Sequence, residues 1–316
     1  MHASRRIFMG LAGALGLAGR AMVGVPAAAG SARGVPAAEK PWPLSRSESF
    51  TLKWRDRELL IGIARPNDVD PDLPLMLRDY KPVPIYVTDG NENFPIVAAI
   101  TRQMQWGGEV PPCLVVGIDY LDAERAYKED WRTRELTPTK EPRGLPPGAH
   151  GEFGGAGDFR RFLVETLRPM IERRFDVDRS RSTLVGHSLG GLFTLDTMLE
   201  VPAAFGNYLA MSPSLWFDDN VVLRSFKQKV EAGTVFASRA AVFAGEQEER
   251  ISSPETHMTS NTLEFGRLVA DHRRSFPSGA LVSVLPGTTH HTIVGAAATR
   301  GMRYLVAPEE RRAETF

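Results

Sequence analysis

One cysteine, Cys113, stands in 316 residues, which rules out an internal disulfide. The segment "PPCLVVGI" seats that thiol at the head of a buried-looking strand, where a small core residue is expected rather than a redox centre. Excess charge is missing as well: 38 basic residues balance 38 acidic ones, and no Lys- or Arg-rich run stands out. A nucleic-acid partner is thereby set aside, because such binders carry a basic patch or stripe. Heptads and tandem repeats are absent, and no apolar run reaches the ~20 uninterrupted residues that a membrane-spanning helix needs. What remains, 42% hydrophobic and 24% charged, is the composition of a globular chain long enough to bury a large core.

The first 38 residues read as an address. "SRRIFMG" sets Arg5 beside Arg6 ahead of "LAGALGLAGRAMVGVPAAAG", a mildly apolar stretch that Arg20 interrupts and small residues end. This matches a twin-arginine export signal, removed near Ala29, Ala32 or Ala38, with the twin-arginine machinery as a partner. The expected location is periplasmic or secreted, with no stable membrane span after processing. Cleavage at Ala29 leaves the mature chain at a formal charge of about −3. Residues 39–316 are expected to form a single α/β domain.

Eight β-branched or apolar runs, bounded by Gly, Pro, Asp or Asn, are strand candidates: "SFTLKW", "LLIGIARP", "VPIYVTDG", "CLVVGIDY", "STLVGHS", "NYLAMSPS", "AAVFAGE" and "ALVSVLPG". Between them lie helical patterns. The clearest is "GDFRRFLVETLRPMIERRF", where Phe159, Phe162, Leu163, Thr166, Leu167, Met170 and Ile171 recur at three- and four-residue steps. Strands alternating with helices predict a mostly parallel sheet covered on both faces. The stretch from Leu121 to Gly157, charged and then glycine-rich, reads as a long loop or lid.

"GHSLG" at 186–190 fits G-x-S-x-G, in which a serine sits on a sharp strand-to-helix turn with its hydroxyl exposed at the sheet's end. "RSTLV" before it reads as a strand and "LGGLFTLDTMLE" after it as a helix, the setting the motif requires. Ser188 is therefore the candidate nucleophile, and it needs a downstream histidine as base. His2 belongs to the leader, His187 is read as pointing away from the serine, His150 and His257 lie in polar loops, and His272 sits among arginines. That leaves His290 and His291 in "LPGTTHHTIV". For the carboxylate that orients the base, "AAVFAGEQEER" offers Glu246, Glu248 and Glu249, of which Glu248 holds the G-x-x-acid position after Gly245. Two backbone N–H groups should receive the oxyanion: that of Leu189, after the serine, and that of Gly90 or Asn91 in "VTDGNENF", with Asn91 preferred.

The stretch from Gly155 to Asp219, which contains the serine motif, resembles nearly end to end the core of the esterase D-like α/β-hydrolase family, which includes S-formylglutathione hydrolases, feruloyl esterases and catecholate siderophore esterases, and the likeness covers roughly residues 50–306. The likeness to the siderophore esterases rests on "VTDGNENF", "VVGIDY" followed by "RTRELTP", "SPSLWF", "GEQE" and "GTTHHT". The resemblance implies an α/β-hydrolase fold with Ser188 as nucleophile, His290 as base and Glu248 as acid, and no metal or organic cofactor. It also implies a small-molecule ester substrate such as a trilactone or linear ester of catechol-acylated serine, anionic when it carries iron. Arg132 and Arg134 could then meet the charge and Trp216 could stack on a catechol ring. Ion pairing for the arginines and core packing for Trp216 are the structural alternatives. Other readings of the same fold are a general or feruloyl-type carboxylesterase, an acyltransferase, and a ligand-binding protein without chemistry. An S-formylglutathione substrate fits poorly, being cytoplasmic.

Overall fold

The eight expected strands form one sheet in the computed structural model, which describes residues 43–67, 81–128, 130–146, 151–252 and 254–309. The proposed export signal lies outside the described residues. In chain order the strands are β1 (Ser47–Trp54), β2 (Arg57–Ala64), β3 (Val83–Thr88), β4 (Cys113–Tyr120), β5 (Thr183–His187), β6 (Asn207–Met211), β7 (Arg239–Gly245) and β8 (Ala280–Leu285). Their order across the sheet is β1-β2-β4-β3-β5-β6-β7-β8. β1, β2 and β4 pair antiparallel, and from β4 to β8 every neighbour is parallel.

The helices are α1 (Gly90–Trp106), α2 (Ala123–Lys128), α3 (Trp131–Glu135), α4 (Ala156–Phe162), α5 (Arg168–Arg174), α6 (Leu189–Glu200), α7 (Phe217–Glu231), α8 (Met258–Asp271) and α9 (Ile293–Val306). Side chains alternate across a strand, so the strands β3 to β7 each feed two cores, while the outer face of the edge strand β1 is exposed. Tyr86, Tyr208 and Ala210 join Phe159, Leu167, Phe193, Phe226 and Phe265 from α4 to α8 on one face. Ile85, Val87, Leu209 and Met211 join Val97, Ala98, Ala297 and Met302 from α1 and α9 on the other. Burial on both faces explains why these strands are nearly unbroken apolar runs. Cys113 is buried, and burial pushes its thiol up to about 12, as expected of a packing residue.

Two expectations change. The long helix at 156–174 contains a wide turn, Leu163–Leu167, between α4 and α5. Pro169 follows it, has no N–H to give and would press on the preceding turn, and widening that turn accommodates the ring. The stretch from Leu121 to Gly157 is not one long loop either, since α2 and α3 occupy its first part. Glu135, buried at the end of α3, accepts from Arg57 Nη1 at 2.6 Å and from Tyr120 Oη at 2.5 Å, and so ties α3 down onto β2 and β4.

Candidate active site

β3 ends at Thr88 and β5 at His187, adjacent parallel strands whose outgoing connections leave for opposite faces of the sheet. α1 packs with the core on one side and α6 with the core on the other. Such a switch point opens a crevice at the carboxyl ends of the strands. Ser188 stands there with φ 60° and ψ −120°, a strained conformation for a residue with a side chain. The turn is tight enough that a Cβ on Gly186 would strike the Gly190 carbonyl, and one on Gly190 would strike Thr88 Oγ1. The two glycines are thus required by close backbone approach, which the G-x-S-x-G pattern encodes.

Ser188 Oγ lies 3.0 Å from His290 Nε2, and His290 Nδ1 lies 2.9 Å from Glu248 Oε2. Because a carboxylate can only accept, Nδ1 carries the proton and Nε2 is left to accept from the serine hydroxyl. His290, not His291, is the imidazole that reaches Ser188, because the turn after β8 aims residue 290 at the crevice while His291 remains exposed. Glu248, likewise, is chosen over its neighbours. Glu246 accepts from the Gly287 amide and Glu249 from Ser260 at the surface, whereas Glu248 is fully buried. Besides His290, it accepts from Ser212 Oγ at 2.5 Å and from the Gly245 amide. Burial alone would raise its pKa, but those three donors outweigh it and hold the carboxyl below its ordinary range. A hydroxyl, an imidazole of fixed tautomer and a charged carboxylate in one hydrogen-bonded line can transfer the serine proton as an acyl carbonyl is attacked.

One residue of this cluster departs from what the sequence suggests. His187 does not point away from the site. It lines the same cavity as Ser188, its Nε2 donates to the His290 carbonyl at 2.7 Å, and the two rings lie 4.6 Å apart. Burial first, and the neighbouring His290 next, lower its pKa to about 4, so at neutral pH it is an uncharged donor that braces the His290 turn. The histidine of G-x-S-x-G is the available signal, but its partner is 103 residues away.

Two further placements are corrected. Asn91 is not a free oxyanion donor: its amide gives its hydrogen to Asp119 Oδ2 at 2.6 Å. The amides at the start of α1 have no partner within the helix, and Asp119, at the end of the adjacent β4, supplies a carboxylate to that electropositive end. Leu189 opens α6 directly after Ser188, so its amide is likewise left unspent by the helix. Arg134 does not face the crevice. Its guanidinium pairs with Glu152 at 2.7 Å and with Glu135 at 3.7 Å.

Ser188 sits between two cavities. One, of ≈ 110 Å³, is walled by Trp216, Ser214, Thr256 and Met258. The other, of ≈ 430 Å³, is the open mouth, walled by Asp89, Glu92, Asp119, Arg132 and His291 among others. Arg132 is held there by Asp89, with Nε at 2.5 Å and Nη2 at 3.0 Å from the two carboxylate oxygens. Trp216 leans edge-on against Phe217. The two arginines of "WRTRE" therefore contribute one guanidinium to the mouth, and "SPSLWF" contributes both a wall and the Ser212 hydroxyl that holds Glu248. Among the described residues there is no cluster of His, Cys, Asp and Glu able to hold a metal ion, and no helix long and apolar enough to cross a membrane.

Known esterases and siderophore hydrolases are similar to this chain. The chain is 37% identical over 150 residues to the ferri-bacillibactin esterase BesA of Bacillus subtilis, a match covering 44% of this chain and 50% of that protein. It is 32% identical over 202 residues to the siderophore triacetylfusarinine C esterase of Aspergillus fumigatus, covering 62% of this chain and 65% of that one. The chain thus spans between half and two thirds of these curated relatives. Among solved structures, the siderophore hydrolase EstB from Aspergillus nidulans superposes with a TM-score of 0.70 at 26% identity, over 85% of this chain and 98% of its own. Residues 72–260, more than half of the chain, match the family described as "Putative esterase", and the protein belongs to that family.

Proposed function

We propose that this protein is an exported serine esterase that hydrolyses siderophore esters. The observation that carries the chemistry is the line from Ser188 through His290 to the buried Glu248, at 3.0 and 2.9 Å. Ser188, giving its proton to His290, attacks the ester carbonyl. The developing oxyanion is received by the Leu189 amide at the positive end of α6. His290 then returns the proton to the leaving alcohol, and water releases the acyl-enzyme by the same steps in reverse order of roles. The siderophore reading is supported by the named relatives and by the two cavities at Ser188. Trp216 would stack on an aromatic acyl group in the smaller one. Arg132, with Nη1 not spent on Asp89, would bind an acceptor oxygen in the larger. Residues 1–38 would direct the chain through twin-arginine export, and residues 39–316 would form the mature enzyme.

One experiment addresses both halves. The full-length chain and its Ser188→Ala variant are produced in a Gram-negative host, and periplasmic extracts are assayed on ferric and iron-free enterobactin, a ferric trihydroxamate ester, feruloyl methyl ester and p-nitrophenyl acetate. The expected result is siderophore cleavage far faster than turnover of the simple esters, recovered from the periplasm and abolished in the variant. Turnover of the simple esters alone would leave the serine chemistry standing and refute the substrate. Activity confined to the cytoplasm would refute export.

A further inference from the structure

A further cavity lies at the opposite end of the central strands from Ser188. The amino-terminal ends of β5, β6 and β7 frame a space of ≈ 620 Å³ whose wall carries Arg168 from α5, Arg179 and Arg181 from the turn before β5, and Arg239, the first residue of β7. Five residues of β5 at ~3.3 Å each separate it from Ser188, roughly 17 Å, so it is no part of the esterase crevice. No carboxylate lines it among the described residues.

The guanidiniums are positioned mainly by carbonyl groups. Arg168 donates to Ala204 O, Arg179 to Glu172 O at 3.1 Å, Arg181 to Val306 O and Arg239 to Ser278 O at 2.8 Å. Carbonyls are dipoles: they fix a guanidinium in place without neutralising it. Among the described residues, the charges of Arg168, Arg179 and Arg239 are answered by one carboxylate, Glu172, at 2.6 Å from Arg168 Nε and 3.5 Å from Arg179 Nε. Ser238 adds a second kind of signal. It is 6% exposed, lines the same cavity, and its Oγ has no hydrogen-bond partner. A buried hydroxyl without a partner is left with its desolvation cost unmet, and like charges lining one cavity repel one another. An oxyanion bound between them would relieve both.

We propose that this cavity is a ligand site for a phosphate group, held by the guanidinium N–H groups of Arg168, Arg179 and Arg239 that these carbonyl and Glu172 contacts leave over, and by the Ser238 hydroxyl. The guanidinium fork matches two oxygens of a phosphate at once, and its charge persists at any pH the protein meets. The cavity has room for what the phosphate is attached to, so the group could come from a soluble phosphorylated molecule or from a lipid headgroup.

Titration of the mature protein with inorganic phosphate, against chloride at equal ionic strength, tests the site, with thermal midpoint and calorimetric affinity as readouts. Phosphate is expected to bind and to raise the midpoint more than chloride does. Arg179→Gln and Arg239→Gln should each weaken binding by roughly tenfold or more, and leave ester hydrolysis unchanged. If Arg239→Gln does not fold, Arg179→Gln carries the test, since that side chain is 61% exposed. Sedimentation with phosphatidic acid vesicles, against phosphatidylcholine vesicles, forms the second arm. Pelleting lost in Arg179→Gln would assign the phosphate to a headgroup, and binding in solution without pelleting would assign it to a soluble molecule. No preference for phosphate over chloride together with no pelleting, or equal binding by wild type and variants, overturns the proposal.

Discussion

Replacing Glu248 by glutamine keeps the side chain's shape and changes one thing at the base. The glutamate offers two accepting oxygens to three donors, the His290 Nδ1–H, the Ser212 hydroxyl and the Gly245 amide. Glutamine has one oxygen, and Oε1 already serves two of those donors, so the amide oxygen stays with Ser212 and Gly245. Its NH₂ then faces His290 Nδ1. Two donors cannot share that contact, so the imidazole moves its proton to Nε2, and the nitrogen that must accept from Ser188 is blocked. A wrong tautomer with intact geometry costs about 10⁴ in kcat in hydrolases of this chemistry, or about 5.4 kcal/mol of transition-state stabilisation. The assay is steady-state hydrolysis of a p-nitrophenyl ester by Glu248→Gln beside Glu246→Gln and Glu249→Gln. The neighbours' carboxylates hold the Gly287 amide and Ser260 instead, and their variants should stay within roughly threefold of wild type, as surface changes do. A loss below about tenfold in Glu248→Gln, or an equal loss in all three, would refute the assignment of Glu248 and the tautomer argument with it.

His187→Gln removes a buried base whose pKa is lowered to about 4. Between about pH 6.5 and that value the unfolded chain takes a proton that the native state refuses, so wild-type stability falls as pH drops through the window and levels below it. The variant should lose that fall, at most about 3 kcal/mol between pH 7 and pH 4, measured as urea midpoints; an unchanged acid dependence would show that another group is responsible. Gly190→Ala should destabilise the protein by about 1–3 kcal/mol and depress activity beyond that, because the new methyl meets Thr88 Oγ1 and lies against Asp89, which holds Arg132. Wild-type thermal stability and turnover in that variant would mean the elbow is looser than the structure has it.

The sheet is readable in the residues because its strands are short β-branched or apolar runs cut off by Gly, Pro and Asp, too short to be helices even where burial on both faces erases alternation. Ser188 is readable for a steric reason, since only glycines at 186 and 190 permit the turn. What is not readable depends on partners distant along the chain. Asn91 makes a reasonable amide donor until β4 brings Asp119 against it. Arg132 and Arg134 look equivalent in "WRTRE", yet on a helix residues two apart do not share a face. Once α3 forms, one guanidinium is in the mouth and the other is turned towards Glu152. The phosphate cavity has no motif at all, because its arginines come from separate places in the chain.

The bond between Ser188 and His290 closes a loop of 102 residues, and Glu248 lies between them in the chain. Three consecutive parallel strands, β6, β7 and β8, must be laid down in register before the base meets the serine. A partly synthesised or partly refolded chain can therefore possess its strained elbow and still be inert. Recovery of catalysis reports completion of long-range topology, and in a refolding experiment it would lag the return of helical signal by the time needed to pair the last strand.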